Sequence, residues 1–206
     1  MPAESSGRFG TLIRDLSYTG LGWGEVAALR VQHVDMVRRR IEVVEAVTEV
    51  GGRVVVGTTM GHQRRTVPVP RFLAQELSVA VDGKVPEDLV FTAPGGGVLR
   101  NTNFRPRFFD RAARAAGLDG LTPHALRHTA ASLAVAAGAN VKSVQQILGH
   151  ASAAMTLDVY AGLFGDDLDA VAVRLDVAVS DRNADQMRTA ARIGPHRSRI
   201  RPRRPL

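Results

Sequence analysis

Hydrophobic residues along this 206-residue chain repeat with two different periods, and the change of period divides it. Leu12, Ile13 and Leu16 share one helical face over Thr11–Tyr18, behind ten residues expected to be frayed. Gly20, Gly22 and Gly24 break that pattern, and a helix resumes over Glu25–Leu29. From Arg40 the spacing shortens to alternation, rich in β-branched residues. It predicts strands over Arg40–Thr48, Arg53–Thr58 and Arg64–Val69, with Gly51 and Gly52 as a turn. Helical spacing returns over Pro70–Val81, with Phe72, Leu73, Leu77 and Val81 on one face. It continues over Phe104–Ala116, with Phe108, Ala112 and Ala115 inward and Gly117 as the stop. Between these two helices, Pro94 to Gly97 reads as a loop without the lysine and hydroxyl of a phosphate-binding P-loop.

Punctuation is clearest near the C-terminal end of the periodic region. Thr122 suits an N-cap and Pro123 the first helical position, with Gly138 as the stop. Asn140 caps the segment VKSVQQIL, which Gly149 closes. Met155, Leu157, Val159 and Leu163 then mark an apolar-periodic segment, and Asp166 or Asp167 begins a last helix through Leu175. The elements together predict an α+β fold that is mostly α-helical, with a small three-stranded antiparallel sheet.

Composition narrows the class. Apolar residues make up 45% of the chain, enough for a real core, and cysteine is absent, which excludes disulfides and thiolate metal sites. No apolar run approaches the length of a membrane span, and the first residues lack the order of a signal peptide, so a cytoplasmic protein is expected. The net charge is +7, yet Met187–Leu206 alone carries seven arginines and no acid. The rest of the chain is therefore neutral, and a basic body cannot be argued from pI. Residues 180–206 are expected to form a disordered Arg- and Pro-rich tail able to hold nucleic acid non-specifically, behind one folded domain over residues 1–179. Arg107, Arg111 and Arg114 recur on one face of their helix, as either a solvated face or a contact to a phosphate backbone. Lys84 and Lys142 are the only lysines.

The candidate chemistry lies in the best-punctuated stretch. His124 and Arg127 are three apart, so they share a face near a helix N-terminus, where the dipole favours an anion. A guanidinium there can fork onto a phosphate. His150 follows the end of the next helix and Tyr160 lies on the segment after it. One arginine, two histidines and a tyrosine can form a phosphate site with a hydroxyl nucleophile.

HALRHTAAS, then ILGHASAAMTLDVY, resembles the C-terminal motifs of tyrosine recombinases, the phage-type integrases. The resemblance implies the catalytic-domain fold of that family and cleavage of double-stranded DNA by Tyr160 through a 3′-phosphotyrosine, with no metal or nucleotide cofactor. Arg127 would stabilise the non-bridging oxygens, His124 would assist proton transfer from Tyr160, and His150 would hydrogen-bond the phosphate. YTGLGWGEVAAL resembles the family's first motif, but Gly22 stands where the family carries its first catalytic arginine. Met60 stands where the hairpin lysine is expected. The resemblance therefore implies site-specific recombination weakened at two positions. The alternative it leaves is a non-catalytic DNA-binding or oligomerising remnant of a truncated integrase. It further implies a homotetramer on DNA and, from the short stretch before the first motif, the lack of an N-terminal core-binding domain.

Overall fold

The computed structural model describes residues 3–59, 64–160 and 173. The expected helix after Tyr160, the Arg-rich tail and the Met60 position lie outside the described residues. Helix α1 (Ala3–Thr19) starts well before the expected point. Within the stretch expected to be frayed, Phe9 is buried and packs edge-on to Phe104 at 5.2 Å and against Phe108 at 4.6 Å. Leu12 and Leu16 are fully buried on the same face. A sharp turn leads into α2 (Trp23–Ala28), whose Val26, Ala27 and Ala28 join the core.

The turn exists because of two glycines. Gly20 has φ +69°, and a Cβ there would lie 2.9 Å from Leu148 Cδ2. Gly24 lets α2 rest on a strand, since a Cβ there would lie 2.3 Å from the carbonyl oxygen of Val47. A side chain at either position would drive the turn away from its neighbours.

The strands are β1 (Val34–Asp35), β2 (Arg40–Val43), β3 (Glu45–Val50), β4 (Arg53–Thr58) and β5 (Arg65–Pro68). The antiparallel sheet expected from the sequence is present, and its pairing is more specific than the pattern implied. The long first strand is interrupted at Val44, and its halves serve different partners. β2 pairs with β1 and β5, making the three-stranded sheet, while β3 pairs with β4 alone. Thus Arg53–Thr58 and Arg65–Pro68 both pair with the first strand and not with each other. Ile41 and Val43 on β2 and Val67 on β5 face the core, as alternation requires. β4 is largely exposed, with Val55 and Val56 each 47% accessible.

Helix α3 (Arg71–Val81) buries Leu73 and Leu77, whereas Phe72 stays at the rim against Tyr18, 4.9 Å between ring centroids. The helix expected over Phe104–Ala116 is not uniform. It runs as α4 (Asn101–Phe104), a π-helical turn (Arg105–Phe109) containing Pro106, and α5 (Asp110–Ala115). The wide turn re-phases the helix. Phe104, Phe109 and Ala113 therefore face the core, while Ala112 and Ala115, expected inward, are exposed. Phe108 is only partly buried.

Helices α6 (Pro123–Ala136), α7 (Val141–Leu148) and α8 (Ala153–Tyr160) complete the described fold. The Thr122 hydroxyl accepts from the Ala125 amide at 3.1 Å and the Asn140 side chain from the Ser143 amide at 2.8 Å, so both caps form as the sequence predicts. A main core spans α1 to α6 and includes the strands. A smaller cluster of Ala131, Val144, Leu148 and Tyr160 ties α8 to α6 and α7. On α8 the expected apolar face is exposed at Met155, Leu157 and Val159, and the helix instead buries Thr156 and Tyr160. Among the described residues, no helix is long and apolar enough to cross a membrane.

Candidate active site

The site grows from the end of α7. Arg127, on the second turn of α6, donates to the carbonyl of Gly20 at 2.7 Å and to that of Leu148. It thereby joins the α1–α2 turn to the last turn of α7. Arg65, on β5, reaches the same place from the sheet and donates through Nε to the carbonyl of Ile147 at 2.9 Å. Two guanidiniums thus satisfy carbonyls that the end of a helix leaves unpaired.

Glu25 holds both cations in place. Its carboxylate takes a two-pronged bond from Arg65, at 2.5 and 2.7 Å, and lies 3.9 Å from Arg127. It also accepts from the Gly22 amide at 2.7 Å. The Arg65 and Glu25 side chains are only 11% and 12% exposed. Such a fork is worth much more than a surface pair once its partners are fixed. Neither Glu25 nor Arg65 stood out as a site residue in the sequence. An arginine just before the T-V-P of a strand and a glutamate three residues after Gly22 carry no local mark of their pairing, which spans 40 residues.

Burial pushes the Arg127 guanidinium below its ordinary pKa, and the adjacent Arg65 adds to this, while Glu25 opposes it. Arginine stays cationic through such shifts.

Around this base the remaining groups converge. His150 leaves the end of α7, and its Nδ1 lies 3.0 Å from the Thr156 hydroxyl, which fixes the ring. The His150 ring lies nearly parallel to that of Tyr160, with centroids 6.5 Å apart. Burial, followed by the charges of Arg127 and Arg65, lowers the pKa of His150. Tyr160 is buried, and its hydroxyl bonds to His128 Nδ1 at 2.7 Å. Burial raises the pKa of this phenol, and Arg127 pulls in the other direction.

His124 is placed differently from the expectation. Its ring is exposed, and it meets His128 edge-to-face at 5.0 Å, while the histidine on the Tyr160 hydroxyl is His128. His128 was missed because its neighbour Arg127 drew the motif's chemistry. The i, i+4 spacing of the two histidines was the available signal.

The other expected positions are quickly placed. Gly22 is the N-cap of α2, with φ −74°, and among the described residues only the Glu25 carboxylate lies within 4 Å of where its Cβ would be. Arg107, Arg111 and Arg114 are exposed on the π turn and α5, and Arg114 also makes an exposed pair with Asp119 at 3.3 Å. Lys84 bonds to the carbonyls of Leu89 and Val90, and Lys142 to the Gln145 side chain. Both lysines thus have structural partners away from the hairpin.

The arrangement presents a tyrosine hydroxyl hydrogen-bonded to an imidazole, with a fixed guanidinium on the residue before that histidine in the same helix. That set suits attack on a phosphodiester.

The model of the phage integrase family matches residues 7–164. The tyrosine recombinase XerC of Corynebacterium efficiens is 32% identical over 154 residues, covering 72% of this chain and 45% of that protein. XerC of Nitrobacter winogradskyi is 33% identical over 122 residues, 57% of this chain and 37% of that protein. The chain thus spans less than half the length of either relative. Among solved structures, the Tn1549 transposon integrase in complex with transposon right end DNA superposes with a TM-score of 0.68 at 21% identity, over 86% of this chain and 61% of that one. The XerA recombinase gives 0.62 at 24% identity, over 84% and 59%. These structures share the fold. With its motifs in order, its helices and strands placed alike and its family model matched from residue 7 to residue 164, the chain belongs to the phage integrase family.

Proposed function

We propose that this chain is the catalytic part of a site-specific tyrosine recombinase that cleaves and rejoins double-stranded DNA through a 3′-phosphotyrosine at Tyr160. The observation that carries the reading is the convergence of Tyr160, His128, His150 and Arg127, drawn from two helices and a loop, at the carbonyl-bound end of α7. Arg127 stabilises the non-bridging oxygens of the phosphate in the transition state, and His150 donates to one of them. The phosphotyrosyl bond conserves the energy of the cleaved link, so rejoining needs only the returning 5′-hydroxyl. Binding to DNA rests on the phosphate backbone, with exposed Arg107, Arg111 and Arg114 as contacts. The reading extends to assembly as a homotetramer on DNA and to action in the cytoplasm.

The reaction is slow in the natural chain. Gly22 supplies no guanidinium, and Met60 stands where the resemblance implies a hairpin lysine acting as general acid. Loss of one oxyanion-stabilising donor costs about 10²–10³ in rate, and loss of a general acid about 10²–10⁴. These two positions favour a second reading, in which the chain binds DNA without cleaving it.

A nicked suicide duplex carrying the attachment site of the element that encodes the chain distinguishes the two. Recombinase activity gives a covalent protein–DNA adduct that Tyr160→Phe abolishes. Retarded but non-covalent complexes from the natural chain would support the second reading instead.

A further inference from the structure

We propose that His128, rather than His124, is the group that accepts the proton of the Tyr160 hydroxyl when that oxygen attacks phosphorus. The inference rests on the cleavage reading above and assigns its base. Three observations converge on it.

The first is contact. His128 Nδ1 lies 2.7 Å from the Tyr160 oxygen, the distance of a well-formed hydrogen bond. A general base must be within that reach of the proton it takes. His124, one helical turn earlier, reaches the edge of the His128 ring and is exposed.

The second is order. Tyr160 is buried in the cluster with Ala131, Val144 and Leu148, so its ring has little freedom to turn toward another partner. His128 is steadied in turn by the His124 ring against it. Nucleophile, base and a third group that orients the base form the arrangement expected of an activated hydroxyl.

The third is charge. The groups that face His128 are His124 and Arg127 from its own helix, Tyr160 from α8, and His150 from the loop after α7. Burial, then His124, then Arg127 disfavour an imidazolium, and the 2.7 Å contact with the Tyr160 hydroxyl suits a ring that offers a lone pair at Nδ1. The phenol, whose ionisation burial disfavours, is the donor.

The step balances with these groups and water. The Tyr160 oxygen bonds to phosphorus while its proton passes to His128 Nδ1. The bond from phosphorus to the 5′-oxygen breaks, and that oxygen leaves with the electron pair and takes a proton from water. On rejoining, the departing Tyr160 oxygen recovers its proton from the His128 imidazolium. The same group therefore acts in both directions.

Two measurements on the full chain test the assignment. In long-range ¹H–¹⁵N spectra of the labelled protein, His128 is expected as the tautomer protonated on Nε2 with a bare Nδ1. Tyr160→Phe should then raise its pKa, because the donor that favours the neutral ring is gone. In the suicide-duplex assay, the rate of adduct formation should fall as pH drops through the His128 titration. His128→Gln should slow the adduct about 100-fold and remove that inflection without changing non-covalent DNA retention. His124→Gln should keep the inflection. The proposal is overturned if His128 carries its proton on Nδ1, if His128→Gln keeps the parent rate and pH profile, or if His124→Gln is the variant that loses the inflection. If the parent chain forms no adduct at all, the cleavage reading fails separately and the tautomer decides whether His128 is poised as a base.

Discussion

Helices α6 to α8 and the α1–α2 turn meet at the same network, yet they bring different things to it. The helices bring reactive groups: Arg127, His128, His150 and Tyr160. The turn brings only scaffolding. Its Gly20 carbonyl and Glu25 carboxylate receive Arg127 and Arg65, while Gly22, between them, contributes a backbone amide to Glu25. The ion pairs around position 22 form although Gly22 adds no side chain to them. The scaffold is held by contacts to backbone and to a buried carboxylate, independently of any side chain at that position.

Glu25 is the group both regions share, and its removal has the largest expected effect. Glu25→Ala leaves Arg65 and Arg127 in a largely buried site without their counter-charge. The expected cost is about 3–5 kcal/mol in denaturant unfolding. Adding Arg65→Met should recover part of that loss. A Glu25→Ala chain as stable as the parent would mean that the scaffold does not depend on the fork.

Restoring the absent side chain sharpens the same point. Position 22 has an ordinary backbone conformation, and a Cβ there would lie at ordinary contact distance, 3.5 Å, from the Glu25 carboxylate, so Gly22→Arg should fold without loss of stability. Its adduct yield on the suicide duplex should rise about 10²–10³-fold in rate, with a further gain when Met60→Lys is added. No gain from the double variant would show that the turn is displaced from the phosphate.

A smaller effect separates packing from chemistry. Asp15 on α1 is fully buried, its carboxylate oxygens have no hydrogen-bond partner among the described residues, and burial raises its pKa to about 7. The Thr19 hydroxyl, which donates to the Asp15 carbonyl, offsets the shift only in part. The folded chain therefore holds a proton that the unfolded chain has already released near pH 4. Stability is full below that pH, falls as pH rises toward 7, and is flat above. Asp15→Asn should remove this slope and raise stability at pH 8 by a few kcal/mol at most, read from Tm across pH. An unchanged slope would place the proton elsewhere.

The smallest change touches the start of the reactive helix. Thr122→Ala removes the cap on the Ala125 amide and should cost about 1 kcal/mol. Any larger fall in adduct formation than in stability would show that the cap also aims His124 and Arg127.

Sequence alone determined the parts that depend on neighbours a few residues away. Thr122, Asn140 and Gly149 bound α6 and α7 where capping chemistry predicts, because a cap is satisfied within one helical turn. The order of Arg127, His150 and Tyr160 was legible for the same reason, as fixed spacings along one stretch. Tertiary structure decided which of these groups are partners. The Tyr160 hydroxyl chose His128 across 32 residues, and Arg65 met the Ile147 carbonyl across 82. Local pattern also misplaced the inward residues around Arg105–Phe109, where one π turn re-phases the face, and on α8, where packing against α6 and α7 buries Thr156 and Tyr160 instead of Met155 and Leu157. Periodicity reports only that a face exists. Which face is buried, and which imidazole a phenol meets, depends on the shape of the surface that arrives from elsewhere in the chain.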